Sequence, residues 1–272
     1  MDMTPSIEIV SRTDAGMVRS HNEDAVFASP RCGLAILADG MGGYNAGEVA
    51  SGMAITLLGT EFEAMLAKRN PGNGVADRGS AHVALEGEIA RANSAIYQAA
   101  QSQPQYAGMG TTLVAAMFYD NTMTVAHIGD SRLYRLRGDD FRALTRDHSL
   151  LQEQIDSGMI TPEEARRSLN KNLVTRALGV DPAVEPEIHD YEVLPGDIYL
   201  LCSDGLNDMV DDEEIALTLQ ALGANLELAA NQLVQMANDN GGRDNVSVIL
   251  VRVQREFPAA RGWLARLLAW LK

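Results

Sequence analysis

Four aspartates in this chain stand beside or close to glycine at the edge of an apolar run. Three runs, LAILADG (Leu34 to Gly40), VAHIGD (Val125 to Asp130) and IYLLCSDG (Ile198 to Gly205), stop at Asp39, Asp130 and Asp204; a fourth, RDNVSVILV (Arg243 to Val251), begins at Asp244. Short continuous apolar runs fit strands buried on both faces. Carboxylates at such edges are costly to desolvate unless hydrogen-bonded, paired or bound to metal. Asp39, Asp204 and Asp244 gathered at one sheet rim would form an all-oxygen site, and such a site suits Mg²⁺ or Mn²⁺ far better than zinc. The pattern points to a metalloenzyme.

Further polar clusters accompany these edges. Arg19-Ser20-His21-Asn22-Glu23-Asp24 offers a guanidinium fork that matches a phosphate or carboxylate, and a further carboxylate for a cation. In Asp39-Gly40-Met41-Gly42-Gly43 the glycines let backbone carbonyls approach a cation. Gly129-Asp130-Ser131-Arg132, Ser203-Asp204-Gly205 and Gly242-Arg243-Asp244-Asn245 complete the set. Singly, each reads equally well as a turn or a surface ion pair. All five at strand edges, in this order, are not explained by ordinary turns.

Asp39 and Asp204 follow their strands and Asp244 precedes its own, so strands sharing that edge include an antiparallel pair. Short β-like runs at 7–10 and 25–28 come first, and a glycine-rich loop after Asp39 leads into a helix over about 49–66. The turn-forming link RNPGNGVADRG precedes a second helix over about 81–101. Strands TTLVAAMFY, TMTVAHIGD, RLYRLRGD and FRAL follow, with turn signals at Asp120-Asn121 and Gly138-Asp139-Asp140. The polar segment 145–180 reads as a mobile, flap-like insertion, with Ser149 capping one helix and TPEEA at Thr161 starting another. Helices over 212–222 and 226–239 and a strand over 245–253 end the pattern. With no repeat and no long linker, two packed sheets with helices outside are predicted.

The 272 residues are 46% hydrophobic and 22% charged, enough to bury a substantial core. A net charge of -15 argues against a nucleic-acid partner, since phosphate backbones need clustered Lys and Arg. Two cysteines, Cys32 and Cys202, read as buried free thiols, and no stretch matches a signal peptide or a membrane span. A soluble cytoplasmic protein is expected.

RSHNED, LADGMGG, GMGTTL, HIGDSRLY, LTRDHS, VTRALG, LCSDGLND and GGRDNVSV, in this order over roughly residues 6–253, resemble the metal-dependent PPM (type 2C) serine/threonine protein phosphatases in their bacterial form. The resemblance implies an α+β fold, a four-layer α-β-β-α sandwich of two mainly antiparallel sheets flanked by helices. It implies two Mn²⁺ or Mg²⁺ ions, or three. Asp39 would bridge two ions, Asp204 and Asp244 complete the first, and the Gly40 carbonyl and Asp24 serve the second. Asp130, with Asp204, would hold a weaker third ion, and Arg19 the substrate phosphate. A water shared by the ions would attack phosphorus directly. The partners implied are phosphorylated proteins, the products of a bacterial Ser/Thr kinase.

One departure stands out: members from eukaryotes often carry His at the position of Met41, where it is proposed to protonate the leaving group. A thioether cannot, which leaves metal-bound water, solvent or a flap residue such as His148; His127 reads as a packed strand residue. Residues 1–255 are expected to form the catalytic domain and 256–272 an amphipathic tail, whose segment 262–272 suits packing on a protein or contact with a membrane surface. Two competing readings are a relative that dephosphorylates an anti-sigma-antagonist type of regulator and a pseudophosphatase acting as a binding module. Arg19 and the GDSR element disfavour the first, and five converging carboxylates the second.

Overall fold

Apolar runs become strands here because each is covered from both sides. The computed structural model describes residues 2–43, 45–67, 78–161, 164–165 and 173–258. One sheet has the order β1 (Ile7–Asp14), β11 (Val246–Val253), β10 (Ile198–Cys202), β7 (Arg132–Arg137), β8 (Asp140–Ala143). The other runs β2 (Asp24–Ser29), β3 (Leu34–Met41), β5 (Leu113–Tyr119), β6 (Thr122–Ile128), β9 (Glu187–Glu192), with β4 (Gly110–Thr111) against the end of β3. Every pairing is antiparallel.

Helices α1 (Ala46–Ala67) and α2 (Arg78–Ser102) pack on the second sheet through Leu58, Phe62, Leu85 and Ile89, which share a core with Ile36, Ala115 and Met117. A short α3 (Leu150–Asp156) and a single turn α4 (Asp204–Asn207) precede α5 (Asp212–Leu222) and α6 (Leu226–Asp239). The last two cover the first sheet through Leu219 and Leu233, against Leu200, Val248 and Leu250. Between the sheets lie Leu37, Val114, Phe118, Tyr199, Leu201, Ile249 and Val251. Within β10, Tyr199 and Leu201 thus face the other sheet while Leu200 faces the helices, which is why the run does not alternate with polar residues. Each such fully buried Leu, Ile or Phe contributes ~1.5–3 kcal/mol. The expected four-layer sandwich is present.

Several local signals appear where predicted. Asp120 and Asn121 take φ of 45° and 54°, the mirror-image turn of a two-residue hairpin. The Ser149 side chain accepts from Gln152 N at the start of α3, and Thr161 exchanges hydrogen bonds with Glu164. Two readings are corrected, and one strand was not foreseen. Strand β3 does not stop at Asp39: β4 pairs with Gly40 and Met41 and carries it on to Met41. The TTLVAAMFY run is broken at Thr112, whose N–H donates to the Asp39 carbonyl. Strand β9 has no apolar run at all; its sequence EIHDYE forms a sheet edge, where polar residues are tolerated.

The flap segment is anchored at both ends. Thr175 N donates to His148 O, Leu150 N to Leu173 O, and Leu178, fully buried, exchanges hydrogen bonds with Thr111. The Pro162 helix start, much of the 69–79 link and the tail helix from Gly262 lie outside the described residues. Phe257, placed by sequence in the tail, is buried in the core between the sheets. Among the described residues no helix is long and apolar enough to cross a membrane.

Candidate active site and metal centre

The antiparallel registers bring the aspartates to one rim. Asp24 opens β2 directly opposite Asp39 near the end of β3. Strand β6 runs in the same direction as β3, with β5 between them, so Asp130 emerges at that end too. In the facing sheet, Asp204 follows β10 and Asp244 precedes its antiparallel neighbour β11. The two sheets are joined across this rim: Ser203 Oγ donates to Asp24 Oδ2 at 2.8 Å.

Main-chain clamps hold the ligands in place. Asp39 N donates to Thr112 Oγ1 at 3.0 Å, and Thr112 Oγ1 lies 2.7 Å from Ser131 Oγ, which ties Asp39 to the Asp130 loop. Asn245 accepts from Glu23 N and donates to the carbonyls of Ala15 and His21. It thereby fastens the Arg19–Asp24 segment to the start of β11. A Cβ at Gly40 would lie 2.2 Å from Gly47 O and 2.6 Å from Glu23 O, so only glycine fits this close crossing. Arg19, half exposed, sits at the edge with its Nη2 2.7 Å from Asp244 Oδ2.

The electrostatics show that these carboxylates converge. Burial holds Asp39 well above the usual carboxylate range, and the charges of Asp24, Asp204, Asp130 and Asp244 push it further. Asp204 is raised in the same way, by burial and then by Asp130, Asp208, Asp244 and Asp24. Asp24 rises to about 6, chiefly by burial, and so does Asp130, with Asp147 adding to the effect. Asp24 Oδ1 is buried without a hydrogen-bond partner. Hard divalent cations among all-oxygen donors would remove the repulsion and satisfy that oxygen, so these residues fit Mn²⁺ or Mg²⁺.

All seven residues singled out from sequence, Arg19, Asp24, Asp39, Gly40, Asp130, Asp204 and Asp244, therefore lie at or beside one rim. Sequence reasoning missed Ser203, Thr112 and Asn245, whose roles depend on partners far along the chain. It also missed Asp208, whose charge acts on Asp204 and Asp130; its spacing of four from Asp204 across a helical turn was a usable signal. His148 is buried, with Nδ1 accepting from Gly129 N, and is not presented as an acid. His127 is the packed strand residue expected. Cys202 is buried, and burial pushes its thiol up to about 12, so it is no nucleophile.

Comparison with known proteins gives a family model, protein phosphatase 2C, that matches residues 17–244. The chain belongs to the protein phosphatase 2C family. Within this family it is 41% identical over 251 residues to the serine/threonine protein phosphatase PstP of Mycobacterium tuberculosis, covering 92% of this chain and 46% of that protein. The chain thus spans about half the length of that relative. It is 38% identical over 255 residues to the protein phosphatase PhpP of Streptococcus pneumoniae, covering 92% of this chain and 99% of the relative. Among solved structures of the family, the catalytic domain of PstP in complex with two manganese ions superposes with a TM-score of 0.79 at 39% identity, covering 92% of this chain and 99% of that one.

Proposed function

We propose that this chain is a metal-dependent protein phosphatase that hydrolyses phosphoserine and phosphothreonine in proteins. The observation that carries the reading is the convergence of Asp24, Asp39, Asp130, Asp204 and Asp244, from both sheets, on one rim edged by Arg19. Asp39 would be shared by two Mn²⁺ or Mg²⁺ ions, with Asp204 and Asp244 completing one site and Asp24 and the Gly40 carbonyl serving the other. Asp130 and Asp204 would hold a third ion. When bound, such ions lower the pKa of water towards neutrality and neutralise phosphoryl charge.

The chain's own residues do the rest. Carboxylates alone would repel a phosphomonoester dianion, so Arg19 supplies the protein's positive charge at the rim. With one nitrogen on Asp244, its fork keeps further N–H donors for phosphate oxygens. Asp244 also fixes the direction in which that fork points. Met41 has no proton to give and His148 is buried, so the proton for the leaving seryl or threonyl oxygen would come from water. The substrates are products of a Ser/Thr kinase, the reaction class that places phosphate on these hydroxyls. The buried free thiols of Cys32 and Cys202 support a cytoplasmic setting.

The test is phosphate release from a phosphothreonine peptide with EDTA, Mn²⁺ or Mg²⁺, for the wild type and Asp204→Ala. Hydrolysis that needs metal and is abolished by the substitution supports the reading. A folded wild type that binds Mn²⁺ yet releases no phosphate from any phosphoprotein refutes it.

A further inference from the structure

Away from the rim, ligand-type atoms of His127, His148 and Glu187 lie within 4.8 Å of one another at the root of the flap. The group resembles a metal site, but its protons argue otherwise. His148 Nδ1 accepts from Gly129 N at 3.2 Å. A neutral imidazole with Nδ1 accepting carries its proton on Nε2, and that nitrogen lies 3.2 Å from Glu187 Oε1. His127 Nε2 is 2.9 Å from the Arg146 carbonyl, which requires an N–H there as well. The nitrogens that face Glu187 therefore present protons rather than lone pairs, and cannot ligate a cation in this arrangement.

What the cluster does hold is the Asp130 loop. His148 N donates to Gly129 O at 2.9 Å while the His148 ring accepts from Gly129 N, so one residue engages both polar groups of Gly129. Gly129 has φ +99°, and a Cβ there would lie 2.7 Å from Thr112 Cβ, so the turn is tightly constrained. On either side Arg132 binds Asp147 through two nitrogens, at 2.9 and 2.7 Å, and Leu133 N donates to Thr145 Oγ1. The His148 ring plane is set by stacking on His127, with centroids 4.9 Å apart. Glu187, the cross-strand partner of His127, reaches the group from the edge strand β9.

We propose that His148, its tautomer set by the Gly129 N–H and its ring plane by His127, is a positioning residue that bolts the Gly129–Asp130 main chain to the flap root and so holds Asp130 ready for its cation. The inference rests on Asp130 being a cation ligand, as proposed above. Groups that orient a metal ligand from behind typically change metal affinity ~10–100-fold when removed.

The experiment is Mn²⁺ binding followed by calorimetry and by the Mn²⁺ electron paramagnetic resonance signal, on the wild type, His148→Asn, His148→Gln and Glu187→Ala. Asn places an oxygen where Nδ1 stood and keeps the acceptor for Gly129; Gln moves its polar group outward and loses it. In the wild type, binding of three ions is expected, the weakest being the one that Asp130→Ala removes. His148→Gln should weaken that ion by ~10-fold or more and leave the tighter two unchanged, and Glu187→Ala should weaken it by less. His148→Asn should restore it to within about twofold of wild type, on the same orientation argument. Equal behaviour of the Asn and Gln variants, or a wild type that binds only two ions, overturns the proposal. Because the readout is binding, that result stays distinct from a failure to hydrolyse phosphopeptides. Thermal melting of each variant separates loss of the ion from loss of the fold.

Discussion

Asp24 and Asp39 are direct cross-strand partners at the open end of the β2–β3 ladder; burial raises both, and the charge of Asp24 raises Asp39 further. Like charges directly opposite one another destabilise a sheet. A pair kept at that register in a buried position is therefore stability given up for a site. Asp39→Asn should raise the melting temperature of the metal-free protein, by ~2–4 °C if the relief is worth about 1 kcal/mol. If Asp39 serves the ions as proposed, activity should fall by at least the ~10–100-fold typical of groups that only support a metal ligand. Calorimetry in EDTA beside phosphate-release assays checks both, and a lower melting temperature in EDTA would count against the argument.

The same carboxylates set a pH dependence. Asp24 and Asp130 are raised to about 6 in the fold, above their ordinary value near 4, chiefly by burial. Their contribution to metal-free stability is full below pH ~4 and is lost as pH rises through ~6. Cations compete with those protons, so metal binding strengthens over the same range. Buried His127 and His148, lowered by burial, shift stability in the opposite sense, but in both metal-free and metal-loaded protein. The gap in melting temperature between Mn²⁺-loaded and EDTA-treated protein should therefore widen from pH 5 to pH 7.5. A constant gap would contradict the assignment.

Arg19 binds Asp244 through one nitrogen, and in the proposed role its others would meet the substrate phosphate. Arg19→Lys keeps the charge but not the fork, and a lost charge-assisted hydrogen bond is worth ~1.5–3 kcal/mol. A fall of ~10–100-fold in kcat/KM is expected, with Mn²⁺ affinity close to wild type. Parallel kinetics and calorimetry would show whether the two separate.

Two glycines of the DGMGG loop provide a matched comparison. A methyl group at Gly40 would overlap Gly47 O and Glu23 O, whereas one at Gly43 has nothing within 4 Å. Gly40→Ala should cost about 1–3 kcal/mol and impair metal binding through a displaced carbonyl. Gly43→Ala should leave both nearly unchanged. Denaturant unfolding with Mn²⁺ titration distinguishes them, and equal effects would argue that Gly40 is not specially confined.

Much of the architecture was legible because local pattern and burial coincide. Runs such as IYLLCSDG and RDNVSVILV lack alternation because helices cover one face and a second sheet the other, and α5 and α6 begin and end where their periodicity does. The break at Thr112 was not legible. Nothing in TTLVAAMFY marks the residue that turns aside to bind Asp39.

By itself the sequence determined which carboxylates reach the rim, since Asp beside Gly at the end of an apolar strand needs only local conformation to get there. The order of elements also indicated two packed sheets with helices outside, and Asp39 and Asp204 following their strands while Asp244 precedes its own required an antiparallel pair at that edge. Only the tertiary structure decided what holds those residues in place. Ser203 reaches Asp24 across 179 positions of chain, Asn245 joins the start of β11 to Glu23 and His21, and β9 brings Glu187 to the flap root from a segment with no apolar signature. Local composition sets a residue's conformation and the face it presents; the partner it meets depends on how two sheets are stacked and registered, which no window of sequence contains.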